Sequence, residues 1–250
     1  YLTTKVGKLT TTVNYNYMNQ SRKQTENNRE EVYNYVKTGE QKREYGTNST
    51  AATIHFGDIS ASYEIDSLNL LTASTNFLGY KADANAQNTN ERWDKNNQLI
   101  YKFDNNMTTP GYSHLNIGGR LDYQHKTHLD GEILTLSYML AATRPHTIFR
   151  QTYSNMVNFP VSYTSYDQNT RERFTEHTFQ IDYVRPFGKY HKLESGTKYI
   201  LRYNNSTSLM DYQGTTPDME SKFKHNAQVA AAYLSYIFTA GKWAARAGLR

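Results

Sequence analysis

From Phe174 to Asn204 the chain keeps a two-residue rhythm on both sides of a single break. Coming in, Phe179, Ile181 and Tyr183 alternate with Thr178, Gln180 and Asp182; after Pro186, Phe187, Gly188 and Lys189, residues Leu193, Thr197, Tyr199, Leu201 and Tyr203 alternate with Glu194, Lys198 and Arg202. Successive side chains of a strand point to opposite faces, so each arm carries one apolar-aromatic face and one polar face. The stretch reads as a long antiparallel hairpin with a tight turn. Each arm holds its phase for more than about a dozen residues, whereas sandwich strands run about five or six. Such length suits a tilted strand crossing a bilayer. The apolar face is therefore expected to meet lipid and the polar face to line a large barrel.

The same unit repeats along the chain. Leu9, Thr11, Val13, Tyr15 and Tyr17 share one phase, as do Gly57, Ile59, Ala61, Tyr63 and Ile65, then Leu115, Ile117, Gly119, Leu121 and Tyr123, then Leu134, Leu136, Tyr138, Leu140 and Ala142. In Leu68–Lys81 two phases compete, with Leu71, Ala73, Thr75 and Phe77 the favoured outward set. Lys222–Phe238 is ambiguous. Tight turns near Gly7, Asp66, Asp130, Gly188 and Gly241 recur at intervals of roughly 55 to 60 residues, a period that marks a repeated supersecondary unit. Between them the polar stretches 21–50, 83–97, 104–111, 155–170 and 206–220 read as long loops, with a bulge or kink at Arg144 and Pro145. The expected architecture is all-β: about ten meander strands of a transmembrane antiparallel barrel, with residues 1–250 forming part of one barrel domain. The pattern opens at Tyr1 and closes at Arg250 in mid-phase, so the chain is expected to be a piece of a longer protein, the piece itself carrying neither plug nor signal peptide.

Composition agrees with this and excludes other classes. Mean hydropathy is −0.81, and no apolar run reaches the roughly eighteen residues of a membrane helix. A barrel tolerates this, since only alternate strand residues face lipid. The 22 tyrosines suit both strands and interfacial girdles. The absence of cysteine removes thiolate metal sites, thiol nucleophiles and disulfides. A net charge of +5 without a basic block points to no nucleic-acid partner.

Chemistry-bearing residues are few. His125, His128 and His146 lack a third ligand at metal spacing. Ser137 with His114 is a hydrolase pair on paper only, since such groups are common on polar faces. Asp83, Asn85, Asn88, Asn90 and Asp94 lack the alternation of a calcium loop. No enzyme activity, cofactor or metal is expected. Arg120, Asp122, Asp182, Glu194, Lys198 and Arg202 fall on polar faces, where they either line a solute path or pair with one another. The aromatics Trp93, Tyr163 and Tyr166, with Tyr153 and Phe159, are candidate extracellular loop contacts for a ligand.

Four stretches carry a resemblance: IDYVRPFGKYHKLESGTKYILR at 181–202, AAYLSYIFTAGKWAARAGLR at 231–250, the Gly-Lys turn at 6–9 and SASYEIDSLNLLTAS at 60–74. With these the chain resembles the outer-membrane β-barrel region of TonB-dependent-receptor-like proteins of Gram-negative bacteria. The resemblance implies a barrel of about 22 strands with an N-terminal plug, placed in the cell outer membrane with short turns periplasmic and long loops extracellular. It implies nutrient uptake of a glycan, peptide or metal complex. The implied partners are outer-membrane lipid and lipopolysaccharide, the plug and remaining strands, TonB, and a surface lipoprotein. A non-transporting surface anchor or adhesin and a soluble all-β binding domain are the alternatives.

Overall fold

The structure, a computed structural model, describes residues 1–249; the mid-phase end expected at Arg250 lies outside the described residues. Eleven strands and one short helix form a single antiparallel sheet: β1 (Leu2–Val6), β2 (Leu9–Gln20), α1 (Arg22–Thr25), β3 (Asn27–Tyr35), β4 (Glu40–Glu64), β5 (Asn69–Trp93), β6 (Leu99–Lys126), β7 (Ile133–Val157), β8 (Tyr163–Phe187), β9 (His191–Gly214), β10 (Met219–Ala240) and β11 (Trp243–Leu249). The order is β1-β2-β4-β5-β6-β7-β8-β9-β10-β11, with β3 paired to β4 beside β2. β2 covers β4 from Ala52 to Tyr63 and β3 covers it from Glu40 to Asn48. Between them α1 fills the gap: the Thr25 hydroxyl donates to the Thr50 carbonyl at 2.6 Å and accepts from the Thr50 N–H at 2.8 Å. The path is therefore a meander with ten strand positions, one of them interrupted.

Register puts the alternating residues into continuous rungs. Ala73, Leu121, Tyr138, Phe179, Tyr199 and Ala230 follow one another across β5–β10, and so do Leu71, Tyr123, Leu136, Ile181, Thr197 and Ala232. The competing phases of β5 and β10 are resolved by these neighbours: Leu71, Ala73, Thr75 and Phe77 share the apolar face, and so do Leu234, Tyr236 and Phe238. Opposite them Arg120, Asp122, Gln180, Asp182, Lys198 and Tyr233 share the polar face.

Burial is inverted relative to a water-soluble protein. The apolar residues Leu121, Phe179 and Ile181 are 45%, 47% and 49% exposed, while polar Ser137 and Thr178 are 8% and 3% exposed. Among the described residues no second layer covers the apolar side: each strand packs against its hydrogen-bonded neighbours, and α1 packs on β4. Among the described residues no large side chain is fully buried. The polar side chains crowd together as on the inner side of a curved sheet. A band of bare Leu, Ile, Phe and Tyr costs roughly 25 cal/mol per Å² in water, so its solvent is hydrocarbon. No helix among the described residues is long and apolar enough to cross a membrane.

The band is about five alternate residues deep on each strand, close to the 9–11 residues a tilted crossing strand needs. It ends at Gly79 before Lys81 on β5 and at Ala142 before Arg144 on β7. Tyrosine and histidine mark both edges. Tyr15 bonds His55 at 2.8 Å toward the far rim and Tyr236 bonds His191 at 2.5 Å near the turns, while Tyr138, on the mid-band rung of Leu121, bonds His177 at 2.9 Å.

The turns at the near rim follow their chemistry. Gly7, Gly188 and Gly241 adopt φ of 59°, 61° and 59°, left-handed values that glycine reaches without a Cβ penalty, and each is followed by lysine. Asp66 caps its turn by accepting the Leu68 and Asn69 N–H groups at 2.8 Å each.

At the far rim the expected loops are mostly strand. β4, β5, β7 and β8 each run 25 residues and β6 runs 28, on the order of 80 Å of strand at about 3.4 Å per residue. The far connections are brief: Val36–Gly39, Asp94–Gln98, Asn158–Ser162 and Thr215–Asp218. Asymmetry between the rims thus lies in strand overhang, not in loop length. Beyond the band both faces are polar, so the hydropathic rhythm that marks a strand is lost while backbone pairing continues. Arg144 and Pro145 make no bulge either, since β7 pairs β8 in one register on both sides of them. The bulge is across the sheet at Pro110 and Gly111 of β6, where Gly111 has φ 70° and donates its N–H to Asp83 Oδ1 at 2.5 Å. Proline belongs at such a site because it has no ladder donor to offer.

Leu121 lies mid-band on the apolar face and Asn116 on the polar face. Leu121→Arg should cost about 2–4 kcal/mol of folding into bilayers, while Asn116→Arg should be mild. Equal losses for the two in a lipid-vesicle folding titration would refute the assignment of faces.

Candidate functional site

Two groupings on the polar face are built well enough to contact a solute. The first lies at the depth of the apolar band. Arg120 Nε donates to Asp122 Oδ2 at 2.6 Å, and the Ser137 hydroxyl donates to Asp122 Oδ1 at 2.5 Å. Asp182 accepts from Gln180 Nε2 and from the Tyr233 hydroxyl, both at 2.7 Å. Arg202 Nε donates to Glu176 Oε2 at 2.5 Å, and Glu194 is held by Lys192 at 2.7 Å and Arg246 at 2.9 Å. Of the six charged candidates read from the sequence, five sit in pairs of this kind. Lys198 is the exception: it lines a recess of about 690 Å³ with Gln180, Tyr233, Ser235 and Arg246 and forms no ion pair among the described residues.

Gly196 makes this grouping possible. A Cβ there would stand 2.4 Å from the Tyr233 ring and 2.7 Å from Asp182 Oδ1. The absence of a side chain lets the Tyr233 phenol cross β9 and reach the carboxylate on β8.

The second grouping is on the overhang. Past the bulge the phase of β6 shifts by one, so that Tyr101, Phe103 and Asn105 join the polar face through their partners Arg92, Asn90 and Asn88. Asn105 faces Tyr153, Gln151 faces Tyr166, and Tyr166 faces Tyr212. Phe159, from the β7–β8 connection, stacks on Phe103 with ring centroids 4.0 Å apart, and Tyr163 meets Tyr153, Tyr166 and Tyr212 at 5.9, 5.9 and 5.0 Å. Beside the rings Asn90 Nδ2 donates to Asn105 Oδ1 at 3.0 Å, both residues being buried. Half-buried ring faces next to fixed amides offer stacking and directed hydrogen bonds to a flat, polar solute. Crowding and burial push the Tyr153 phenol up to about 12, with Tyr163 and Tyr166 adding to the shift, and raise Tyr166 as well.

Tyr163 and Tyr166, read from the sequence, thus come together with Tyr153 and Phe159. Trp93 does not: it lies at the rim of β5, in register with Gln41 and Leu99, and joins none of these ring pairs. Tyr101, Phe103, Tyr212 and Phe149, whose ring centroid lies 5.8 Å from that of Tyr166, were not legible as members, because the bulge hides the phase of the first two and cross-strand register alone recruits the others. The other candidates stand apart. Ser137 faces Asp122 while His114 faces Pro145 farther along the same strands. His125 bonds Asn69 at 2.7 Å and His146 bonds Asn169 at 3.0 Å. Asp83 and Asn85 alternate with Asn88 and Asn90 across the two faces of β5, so these oxygens do not converge.

A family model described as "Outer membrane protein beta-barrel family" matches residues 125–250, the C-terminal half of the chain. No curated protein matches the sequence.

Gly196→Ala should displace Tyr233 and lower stability by about 1–3 kcal/mol, as overpacking does. Tyr233→Phe should cost less, since it removes only the hydrogen bond to Asp182. Thermal unfolding in detergent measures both, and an unperturbed Gly196→Ala protein would refute the close fit. A raised phenol pKa stabilises the fold fully below pH about 10 and is lost as pH climbs toward 12. Tyr153 should therefore ionise late in a spectrophotometric titration, and Tyr153→Phe should remove one equivalent from its high-pH end.

Proposed function

Because the chain belongs to the outer membrane protein beta-barrel family, we propose that it forms the wall of a TonB-dependent outer-membrane receptor for uptake of a nutrient such as a glycan, peptide or metal complex. The carrying observation is the division of one sheet into a bare apolar face and a polar face furnished with charge and stacked aromatics. Hydrocarbon takes the first; a water-filled interior takes the second. β1 and β11 are the sheet edges, and unpaired backbone groups are not tolerated in lipid. Further strands of the complete barrel pair with them in this proposal.

The aromatic and amide grouping on the overhang serves as the solute-contacting mouth. The charged band below, with Lys198 in its recess, faces the interior, where a plug domain packs. The role is binding and conduction, without catalysis. The overhanging rim is extracellular and the glycine turns are periplasmic, the side from which TonB engages the plug and energises release. A surface lipoprotein is a fitting partner for the outer rim.

Two measurements test the proposal. The complete protein extracted from outer membranes should retain the purified periplasmic domain of TonB on a column, and failure to do so would refute TonB dependence. Lys189→Cys, beside the Gly188 turn, should react with a membrane-impermeant maleimide only after the outer membrane is opened. Reaction on intact cells would invert the orientation.

A further inference from the structure

The polar face is not polar throughout. Asn116 belongs to it, and register carries its rung to Leu78 on β5, Phe56 on β4 and Asn16 on β2. The next rung toward the mouth joins His114, Tyr80, Ile54 and Met18, and the one after it joins Tyr112, Ala82 and Ala52. Phe56, Leu78 and Met18 are 39%, 36% and 54% exposed, and the Tyr80 and Tyr112 rings meet edge to face with centroids 5.6 Å apart. A greasy patch thus sits on the wall that faces water, where it costs free energy until an apolar surface covers it.

Toward the mouth the patch runs into a floor of small residues. Ala84 and Ala86 line a recess of about 300 Å³ with Asn48, Thr50, Met107 and Phe149, and past it stand the buried amides of Asn88, Asn90 and Asn105 beside the rings. From Phe56 to Gly46 on β4, from Leu78 to Asn90 on β5 and from Asn116 to Phe103 on β6, the inner positions include no Asp, Glu, Lys or Arg. That is a run of roughly 35 to 40 Å at about 3.4 Å per residue. Charge returns at its two ends, and there it is engaged: Asp58 accepts from Asn14 at 3.2 Å and Arg120 holds Asp122 at 2.6 Å below, while Lys42 holds Glu44 at 3.2 Å and Arg92 pairs with Glu40 above.

Position selects what covers the patch. It lies on the mouth side of the Arg120 and Asp122 pair, in the charged band against which the plug packs in the reading above, and it is continuous with the ring and amide grouping that meets the solute. A charged solute finds no counter-ion along this run, and burying an unpaired charge there is costly. Hydrocarbon finds Ile54, Phe56, Leu78 and Met18; hydroxyl and amide groups find Asn48, Asn88 and Asn105.

We infer that the inner faces of β4–β6 form a track for an uncharged amphipathic solute, its hydrocarbon part on Ile54, Phe56, Leu78, Tyr80 and Tyr112 and its polar head among the amides and rings nearer the mouth. The inference rests on the uptake reading of the barrel and narrows the nutrient to a neutral molecule with an apolar surface, which leaves out charged chelates and zwitterionic peptides.

The probe is hexyl glucoside carrying a diazirine on its alkyl chain, irradiated with the complete protein in lipid nanodiscs and located by peptide mass spectrometry. Crosslinks are expected on Ile54, Phe56, Leu78 and Tyr80, and unlabelled hexyl glucoside should compete them away while hexanoate, which is charged, and glucose, which has no chain, should not. F56N/L78N should raise the concentration of hexyl glucoside needed for half-protection on the order of tenfold. If that variant does not insert, the competition on the unaltered protein decides. Crosslinks confined to the lipid-facing Leu71, Leu121 and Leu136, or equal competition by hexanoate, overturn the track. An unlabelled patch in the complete protein overturns it too, since the plug then covers those residues. Retention on the TonB column with an unlabelled patch would sink this inference alone; a labelled and competed patch without TonB retention would keep the track and remove TonB-dependent uptake.

Discussion

The structure depends on one requirement: where water is absent, every backbone N–H and C=O must find a partner within the protein. A meander of ten strand positions meets it with a ladder broken only locally among the described residues, chiefly at the bulge of Pro110 and Gly111 and between Thr143 and His146, and the interruption between β2 and β3 is filled by α1 and the Thr25–Thr50 bonds. Once the ladder satisfies the backbone, side chains are free to divide by face. One face carries Leu121, Phe179 and Ile181 bare; the other covers Ser137 and Thr178. A soluble fold with this distribution would expose its grease and hide its polar groups, so hydrocarbon is the only solvent that makes it stable.

The polar face is organised by the same ladder. Side chains of one face lie close enough to pair, so Asp122 collects donors from its own strand and from adjacent β7, while Asp182 and Glu194 collect them from their own strands and, across one intervening strand, from Tyr233 of β10 and Arg246 of β11. These contacts leave Lys198 facing a recess, without an ion pair among the described residues. Farther along, the bulge at Pro110 and Gly111 turns Phe103 and Tyr101 to the inner side, where Phe159 closes over them. Position relative to the membrane thus follows from distance along a strand: charged pairs and aliphatic rungs at mid-depth, rings and amides on the overhang.

Legibility in the sequence followed hydropathic contrast. The strands from Leu115 to Tyr123 and from Leu134 to Ala142 were plain because apolar and polar residues alternate there. The turns at Gly7, Gly188 and Gly241 were plain because a positive φ selects glycine. In 83–97, 155–170 and 206–220 both faces are wetted, alternation vanishes, and Asn, Thr, Ser and Tyr read as loop although they are hydrogen-bonded strand. The candidate residues Asp122, Asp182 and Tyr166 were legible one by one; their pairing with Ser137, Tyr233 and Tyr212, which sit on other strands, was not.

By itself the sequence determined a dyad-patterned, cysteine-free meander able to line a bilayer, because the period of a strand is imprinted in consecutive side chains. Only the tertiary structure decided the phase of β5 and β10, the strand character of the far rim, the ring cluster around Phe103 and the alignment of Ile54, Phe56, Leu78 and Tyr80. Each of these depends on which residue of one strand stands beside which residue of the next. That register is set by long-range backbone hydrogen bonding, and no local run of residues encodes it.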